Sequence, residues 1–167
     1  MATKTYLRHI NTQTGGPRND ITPLFKSHED FHNLIRDWIT QLKGQEIDVV
    51  AGVDALGFIL GTALAMELKK GFVPIRKKGK LPVKIRSVFF ADYTGQRKGL
   101  EIGTNSLHKG EKVVLVDDWI ETGSQIKAAL NLVKGAGAKV VAIAVIHMDR
   151  NAKTHYLEKH HVITVMK

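Results

Sequence analysis

The chain has 167 residues, of which 43% are hydrophobic and 25% are charged, a composition typical of a globular protein. It contains no cysteine, which excludes disulfides, a thiolate nucleophile and cysteine-ligated zinc. The net charge of +9 at pH 7 favours anionic ligands, which include nucleic acid, anionic lipid and small phosphorylated molecules.

The sequence shows no pattern typical of a secreted or membrane protein. Residues 1–11 lack the apolar core of a signal peptide. The longest apolar stretch, residues 49–66, contains Asp54 and several glycines, which is not the pattern of a membrane span. From these two observations we expect no membrane association and a cytoplasmic location. No repeat or linker divides the sequence, so we expect one domain over residues 1–167.

The first predicted element is an amphipathic helix over residues 27–43. Apolar residues recur there at positions i, i+3, i+4 and i+7, which places them on one buried face. Ser27 and Asp30 form a capping-box start, and Gly44 supplies a stop. Two further helices are predicted along the chain, at residues 57–70 and 124–134.

Short apolar segments alternate with these helices and predict five strands. They comprise residues 47–53, 72–75, 87–90, 112–116 and 140–146. Strands that are apolar on both faces and alternate with helices indicate an α/β fold, with a mostly parallel twisted sheet flanked by helices. Ligands of such sheets bind beyond the carboxyl ends of the strands, and the polar residues 92–100 predict a mobile loop or hairpin near that edge.

The segment VVLVDDWIETGSQ, residues 113–125, combines an apolar strand with two acids and a Thr-Gly-Ser turn. We expect Asp117 and Asp118 at an exposed strand end, where two carboxylates can accept hydrogen bonds from a sugar diol. A glycine turn before a helix lets backbone amides approach a phosphate. The alternative is a strand-end turn with an ordinary helix cap, which would explain one acid but leaves the second unexplained.

This segment resembles the phosphoribosyl-pyrophosphate signature of the type I phosphoribosyltransferases. Further motifs follow the order and spacing found in adenine phosphoribosyltransferases. They comprise DITPLF at residues 20–25, AGVD at 51–54, GFILG at 57–61, RKKGKLP at 76–82, Tyr93, and LEI at 100–102. The resemblance covers about residues 18–150 as a matched core and leaves residues 1–17 as a variable N-terminal segment. It implies the fold of that family, with a flexible loop over the site.

The resemblance implies a phosphoribosyl-pyrophosphate site built from several segments. Asp117 and Asp118 would hold the ribose 2- and 3-hydroxyls. The loop that cradles the 5-phosphate comprises Glu121, Thr122, Gly123, Ser124 and Gln125. The residues that receive the diphosphate are Asp54, Ala55, Leu56 and Gly57 in one loop and Arg76, Lys77 and Lys80 in a basic loop. By its charge alone, the basic loop would instead be a solvated surface segment.

The resemblance also implies catalytic and base-binding residues. Asp92 and Tyr93 would close over the site and exclude water, while Asp117 and Asp118 would stabilise the charge that develops on the ribose. The residues expected around the base are Arg18, Asn19, Asp20, Ile21 and Glu121. Mg²⁺ would be bound through the substrate with no direct protein ligand, and the protein would be a homodimer.

The sequence departs from the family pattern at four places, one of which is Asp92–Tyr93 in the flexible loop where the family commonly has Glu-Tyr. Ala55–Leu56 stands where the family usually has Ser-Arg, and Arg18–Asn19 stands where an aromatic residue and an arginine usually precede Asp-Ile-Thr-Pro. Glu121 replaces the usual alanine. Its side chain either faces the base, as an aspartate does in hypoxanthine-guanine phosphoribosyltransferases, or points to solvent.

The sequence therefore predicts an enzyme, a phosphoribosyltransferase of purine salvage. It would convert phosphoribosyl pyrophosphate and a purine base, with adenine favoured, to a nucleoside monophosphate such as AMP and pyrophosphate. Hypoxanthine, guanine and xanthine are the alternative bases. A non-catalytic regulator that binds phosphoribosyl pyrophosphate is the alternative from another class, whereas a nucleic-acid binder has only the net charge in its favour.

Overall fold

The computed structural model describes residues 4–15, 19–92 and 94–166. Its helices are α1 (Thr22–Lys26), α2 (His28–Gln41), α3 (Leu56–Leu68) and α4 (Ser124–Gly135), and two 3-10 helices span Thr5–His9 and His155–Lys159. Its strands are β1 (Val49–Val53), β2 (Gly71–Lys77), β3 (Ile85–Ala91), β4 (Arg97–Gly103), β5 (Lys112–Val116), β6 (Trp119–Ile120), β7 (Lys139–Val145), β8 (His147–Met148) and β9 (Val162–Thr164). No helix in these described ranges is long and apolar enough to span a membrane.

Seven strands form one sheet in the order β3-β4-β2-β1-β5-β7-β9, and β6 pairs with β8 in a separate two-stranded sheet. Strand β1 runs parallel to β2 and β5, and β7 runs parallel to β5 and β9. Strand β4 is antiparallel to both β2 and β3. The predicted α/β fold with a mostly parallel sheet is confirmed, and all five predicted strands are present. The segment 92–100 belongs to a hairpin, because β4 begins at Arg97 and pairs with β3.

The central strands are covered on both faces. Along β5, Val113 and Leu115 pack with residues of α4, whereas Val114 and Val116 pack with residues of α2 and α3. Successive side chains of a strand point to opposite faces, so both sets of β5 side chains are buried. This explains why β5 is a continuous apolar run in the sequence and why its carboxyl end lies between two layers of helices.

Helix α2 begins as the sequence predicts. The side chain of Ser27 accepts a hydrogen bond from the backbone N–H of Asp30 at 3.4 Å. The buried carboxylate of Asp30 accepts hydrogen bonds from Thr5 at 2.9 Å and from Arg8 at 2.7 Å, which ties the N-terminal 3-10 helix to α2. The helix ends at Gln41 and not at residue 43, a difference of the size expected at a frayed helix end.

Helix α3 starts directly against the end of β5. Gly57 lies in the first turn of α3, and a Cβ atom at this position would lie 2.7 Å from the carbonyl oxygen of Val116 and 3.3 Å from Cα of Asp117. Both of these atoms belong to the backbone, so neither can move aside at low cost. Glycine therefore lets α3 approach β5 closely enough to enclose the start of the acidic pair.

We expect Gly57→Ala to lower the free energy of unfolding by about 1–3 kcal/mol, the range for overpacking a well-packed site. Urea denaturation measures the change. Gly135→Ala is the matched control, because no heavy atom lies within 4 Å of a Cβ atom at this helical position. The control should be neutral or stabilising by about 0.5–1 kcal/mol. Equal effects of the two substitutions would contradict the close approach.

Candidate active site

The carboxyl ends of β1 and β5 bring two acidic segments together. The two strands are parallel neighbours, with Gly52 of β1 opposite Val116 of β5. Asp54 therefore follows β1 at the same edge of the sheet at which Asp117 and Asp118 follow β5. This edge is where parallel α/β sheets bind their ligands.

Asp117 is buried at this edge, with 1% of its surface exposed. Its carboxylate accepts hydrogen bonds from the backbone N–H of Asp118 at 2.9 Å and from Nε2 of Gln125 at 2.8 Å. Burial raises the pKa of Asp117 well above its ordinary value, and the neighbouring charge of Asp118 raises it further. The expectation of an exposed strand end is wrong for Asp117, because the first turns of α3 and α4 pack against it. Asp118 is half-buried.

The loop over residues 121–125, the phosphate loop, leads from β6 into α4. Gly123 caps α4 with a φ of 72°, a conformation that glycine adopts readily. The hydroxyl of Tyr156 donates a hydrogen bond to the Gly123 carbonyl at 2.7 Å, and the side-chain amide of Asn151 donates to the Glu121 carbonyl at 3.0 Å. Both carbonyl groups are thus held in place, and the loop has the geometry of a helix N-terminus that can bind an anion.

Tyr156 and Asn151 are residues that sequence reasoning missed. They lie beyond residue 150, outside the predicted core of residues 18–150. Tyr156 belongs to the second 3-10 helix and packs its ring against Gly123. A polar C-terminal segment without a motif gives no signal of this contact in a single sequence.

A two-stranded sheet extends the site past the acidic pair. Trp119 of β6 is the register partner of His147 of β8, and their ring centroids lie 4.5 Å apart. Nε2 of His147 lies 3.0 Å from Oδ1 of Asp149. The backbone N–H of Ile146 donates to the Asp118 carbonyl at 3.0 Å, so the segment that leads into β8 helps to fix the backbone of the acidic pair.

Two adjoining cavities lie between the phosphate loop and the β3–β4 hairpin. The smaller one, of about 40 Å³, is lined by residues 119–126 together with Phe90 and Asp92. The larger one, of about 530 Å³, shares Phe90, Asp92 and Gln125 with it and extends to Lys77 of the basic loop. The structure therefore brings the phosphate loop, the hairpin and the basic loop together around one region.

Asp92 anchors the turn of this hairpin. Its Oδ1 atom accepts hydrogen bonds from the Thr94 hydroxyl at 2.6 Å, the Thr94 amide at 2.8 Å and the Gln96 amide at 3.0 Å. The Thr94 side chain is the main cause that lowers the pKa of Asp92 below its ordinary value. Asp92 is therefore an anion near neutral pH and does not serve as a proton donor there. Tyr93 and Arg18, which the resemblance also assigns to the site, lie outside the described residues.

The two loops predicted to receive the diphosphate contact each other. Oδ2 of Asp54 accepts a hydrogen bond from the Lys77 amide at 3.3 Å and lies 4.0 Å from Nε of Arg76. Nη1 of Arg76 in turn donates to the Lys80 carbonyl at 3.4 Å. Arg76 is thus turned inwards, whereas Lys77 and Lys80 are exposed. The other residues of the loop predicted to begin at Asp54 lie at the start of α3: Ala55 caps the helix, and Leu56 and Gly57 are in its first turn.

The residues predicted around the base have partners within their own segment. The Asp20 carboxylate accepts hydrogen bonds from the Thr22 amide at 2.9 Å and the Thr22 hydroxyl at 2.6 Å, and the backbone of Asp20 pairs with Asn11. Ile21 packs in the core with 1% of its surface exposed, so its side chain anchors this segment to the core. Asn19 is half-buried. A direct contact of these residues with a base stays a prediction.

The family model of the phosphoribosyl transferase domain matches residues 25–166. This chain belongs to that family. It is 41% identical to the adenine phosphoribosyltransferase of Symbiobacterium thermophilum over 89% of its own length and 87% of that relative. The crystal structure of adenine phosphoribosyltransferase from Thermoanaerobacter pseudethanolicus superposes with a TM-score of 0.88 at 31% identity over 96% of each chain. The enzyme of Saccharomyces cerevisiae, solved with an imino-altritol bisphosphate and adenine, gives a TM-score of 0.85 at 28% identity over 96% of each chain.

The family match includes the C-terminal segment that the motif resemblance leaves out. It reaches residue 166, whereas the resemblance ends near residue 150. In this phosphoribosyltransferase the added segment contains β9 at the edge of the main sheet and the 3-10 helix that carries Tyr156. The segment is therefore part of the domain fold and supports the phosphate loop.

The burial of Asp117 predicts opposite effects on stability and on ligand binding. The pKa of Asp117 in the folded protein lies above the value of about 3.9 for an unfolded aspartate. The folded protein therefore binds a proton on Asp117 more tightly than the unfolded chain does. The stability that Asp117 contributes is therefore fully present below the unfolded pKa and is lost as pH rises through the folded pKa. We expect Asp117→Asn to keep or raise the melting temperature at neutral pH and to remove this pH dependence.

The same substitution should weaken the binding of phosphoribosyl pyrophosphate by at least about tenfold, because a charged acceptor for a ribose hydroxyl is lost. Thermal denaturation as a function of pH and isothermal titration calorimetry measure the two effects. Asp48→Asn is the control, because Asp48 accepts a hydrogen bond from the Lys112 amide at 2.8 Å at the opposite end of β5. A destabilised Asp117→Asn variant with full ligand affinity would refute both expectations.

The contact of Tyr156 with the phosphate loop predicts a local effect. Tyr156→Phe removes the hydroxyl that holds the Gly123 carbonyl, and such a hydrogen bond is worth about 0.5–1.5 kcal/mol. We expect the dissociation constant of ribose 5-phosphate, measured by calorimetry, to rise about two- to tenfold. Tyr6→Phe is the control, because the Tyr6 hydroxyl donates to Asp37 at 2.5 Å, away from this loop. An equal loss of affinity in both variants would show that Tyr156 does not act on the loop.

Proposed function

We propose that this protein is an adenine phosphoribosyltransferase, which converts phosphoribosyl pyrophosphate and adenine to AMP and pyrophosphate in purine salvage. The observation that carries the proposal is the acidic pair at the end of β5, followed by a phosphate loop whose Gly123 caps α4. The choice of base follows the relatives, since the similar proteins of Symbiobacterium thermophilum and Thermoanaerobacter pseudethanolicus are adenine phosphoribosyltransferases.

The acidic pair and the phosphate loop suit the two ends of a ribose 5-phosphate. A ribose diol offers two hydroxyl donors, and Asp117 and Asp118 offer carboxylate acceptors on adjacent residues. Gln125 binds Oδ2 of Asp117 and so links this acceptor to the first turn of α4. The start of α4 favours a dianion, because the backbone amides of a helix N-terminus and the helix dipole both attract negative charge.

The reaction exchanges one bond at the ribose C1 carbon for another. The bond from C1 to the diphosphate oxygen breaks, and pyrophosphate leaves with its electron pair. A ring nitrogen of adenine forms the new bond to C1, and the proton that the base loses passes to solvent as pyrophosphate leaves. Positive charge develops on the ribose in the transition state, where the carboxylates of Asp117 and Asp118 stabilise it. Lys77 and Lys80, with their exposed cationic side chains, neutralise the departing diphosphate.

The acidic pair also fits a cation that arrives with the substrate. The pKa of Asp117 is raised by burial and by the charge of Asp118, so a nearby cation would relieve an existing repulsion. Mg²⁺ bound to phosphoribosyl pyrophosphate would supply charge neutralisation for the leaving group. Asp117 and Asp118 would bind and orient the ribose hydroxyls in that arrangement, with the metal held through the substrate.

We infer that Glu121 faces the base. Glu121 and Trp119 both line the smaller cavity beside the acidic pair, and Glu121 is half-buried. A carboxylate in this place can accept a hydrogen bond from a ring nitrogen that carries a proton. Asp92 lines the same cavity from the hairpin, which supports a role of Asp92 and Tyr93 in closing over the substrate.

We also infer a homodimer. Helix α3 carries apolar residues around most of its circumference, and Ile59 and Met66 are 43% and 73% exposed on its outer surface. A helix that is apolar on all sides is normally covered, and a second copy of the chain is the cover that we expect. The cytoplasm stays the expected location.

Pyrophosphate release from phosphoribosyl pyrophosphate tests the proposal, with adenine, hypoxanthine, guanine, xanthine and orotate as acceptors. We expect the highest kcat/KM with adenine and a requirement for Mg²⁺. A preference for hypoxanthine, guanine or xanthine would replace adenine with another purine. Tight binding of phosphoribosyl pyrophosphate without turnover on any base would indicate a regulator and defeat the proposal.

A further inference from the structure

The basic loop, residues 76–82, begins in the last residues of β2 and is folded around one buried carboxylate. Glu101 of β4 is 1% exposed and lies opposite Arg76 of β2 in the sheet. It accepts hydrogen bonds from three consecutive backbone amides, those of Gly79 at 2.9 Å, Lys80 at 2.7 Å and Leu81 at 2.8 Å. The loop thus forms a concave nest of amides, and the Glu101 carboxylate fills it.

The charge of Glu101 strengthens these hydrogen bonds. Burial by itself raises the pKa of Glu101, but the three amides and the nearby charge of Lys78 lower it below its ordinary value. The side chain is therefore a carboxylate in the folded protein, and charge-assisted hydrogen bonds are roughly twice as strong as neutral ones. One side chain thereby sets the backbone conformation of three successive loop residues.

The filled nest determines how this loop can contact an anion. The amides of Gly79, Lys80 and Leu81 already donate to Glu101, so they are not free to bind a diphosphate. The side chains of Lys77 and Lys80 are exposed, and Lys77 lines the larger cavity. The cationic side chains are therefore the part of the loop that can meet a diphosphate.

We propose that Glu101 is a positioning residue for the diphosphate, because its carboxylate holds the basic loop in the shape that presents Lys77 and Lys80 to the leaving group. This inference rests on the proposed function, which supplies the diphosphate as the ligand. It differs from a role in stability alone, since loss of the Glu101 charge should affect ligands that carry the diphosphate and spare those that do not.

Glu101→Gln is the direct test. The substitution keeps the size of the side chain, but it removes the charge and turns an NH2 group towards amides that are themselves donors. We expect the dissociation constant of pyrophosphate and the KM of phosphoribosyl pyrophosphate to rise by about tenfold. The KM of adenine and the dissociation constant of ribose 5-phosphate should stay within about twofold of wild type. Calorimetry and steady-state kinetics give the four constants.

Two further variants control this comparison. Glu111→Gln is matched, because the Glu111 carboxylate accepts a hydrogen bond from the His108 backbone amide at 2.7 Å, and it should leave all four constants unchanged. Glu101→Asp keeps the charge on a shorter side chain and should recover part of the pyrophosphate affinity. If the Gln variant does not fold, the Asp variant decides the question by the same comparison of pyrophosphate with ribose 5-phosphate.

The outcomes separate this inference from the proposed function. Equal weakening of pyrophosphate and ribose 5-phosphate, or unchanged pyrophosphate binding in a folded variant, would overturn the role of Glu101. A wild-type protein that binds pyrophosphate but transfers to no base would defeat the proposed function alone, because the calorimetric comparison needs no turnover. A wild-type protein that does not bind pyrophosphate would overturn both.

Discussion

A carboxylate buried between the starts of two helices is the constraint around which the rest of the site is arranged. Burial of a charge is costly unless other groups bind it. The amide of Asp118 and the side chain of Gln125 bind the oxygens of Asp117, while Gly57 allows α3 to close over the strand end. The raised pKa of Asp117 reflects the cost that remains. Hydroxyl donors or a cation from a substrate would reduce that cost, so the burial that opposes folding also favours binding.

The two segments proposed to bind phosphate groups are stabilised in opposite ways. In the phosphate loop, Tyr156 and Asn151 bind backbone carbonyls, so the anion-binding end of α4 is supported through its acceptors. In the basic loop, Glu101 binds the backbone amides, so these donors are already used and the lysine side chains are the groups that we propose to meet the ligand. In the proposed reaction, the phosphate that stays on the sugar would therefore meet the start of α4. The diphosphate that must leave would meet exposed cationic side chains such as that of Lys80.

The sequence pattern predicts all five of its strands, and it is clearest for the central strands that helices cover on both faces. Strands β1, β5 and β7 are continuous apolar runs and lie close to their predicted positions. The pattern does not predict β4, which begins with the polar residues Arg97 and Lys98, or β6 and β8, which have two residues each. These strands form because a partner strand lies beside them, and that information is absent from the local sequence.

The sequence by itself determined the parallel core, the family and the order of the acidic pair and phosphate loop. Those features depend on residues that are adjacent in the chain, so a local pattern is enough to show them. The tertiary structure alone decided that Asp117 is buried. It also decided that the Tyr156 hydroxyl donates a hydrogen bond to the carbonyl of Gly123, 33 positions earlier in the chain. In the same way, it placed the Glu101 carboxylate where it accepts hydrogen bonds from the amides of a loop about 20 positions away. Each of these contacts is a hydrogen bond or a packing contact between segments far apart in sequence. Such contacts depend on the path of the whole chain, which no local periodicity encodes.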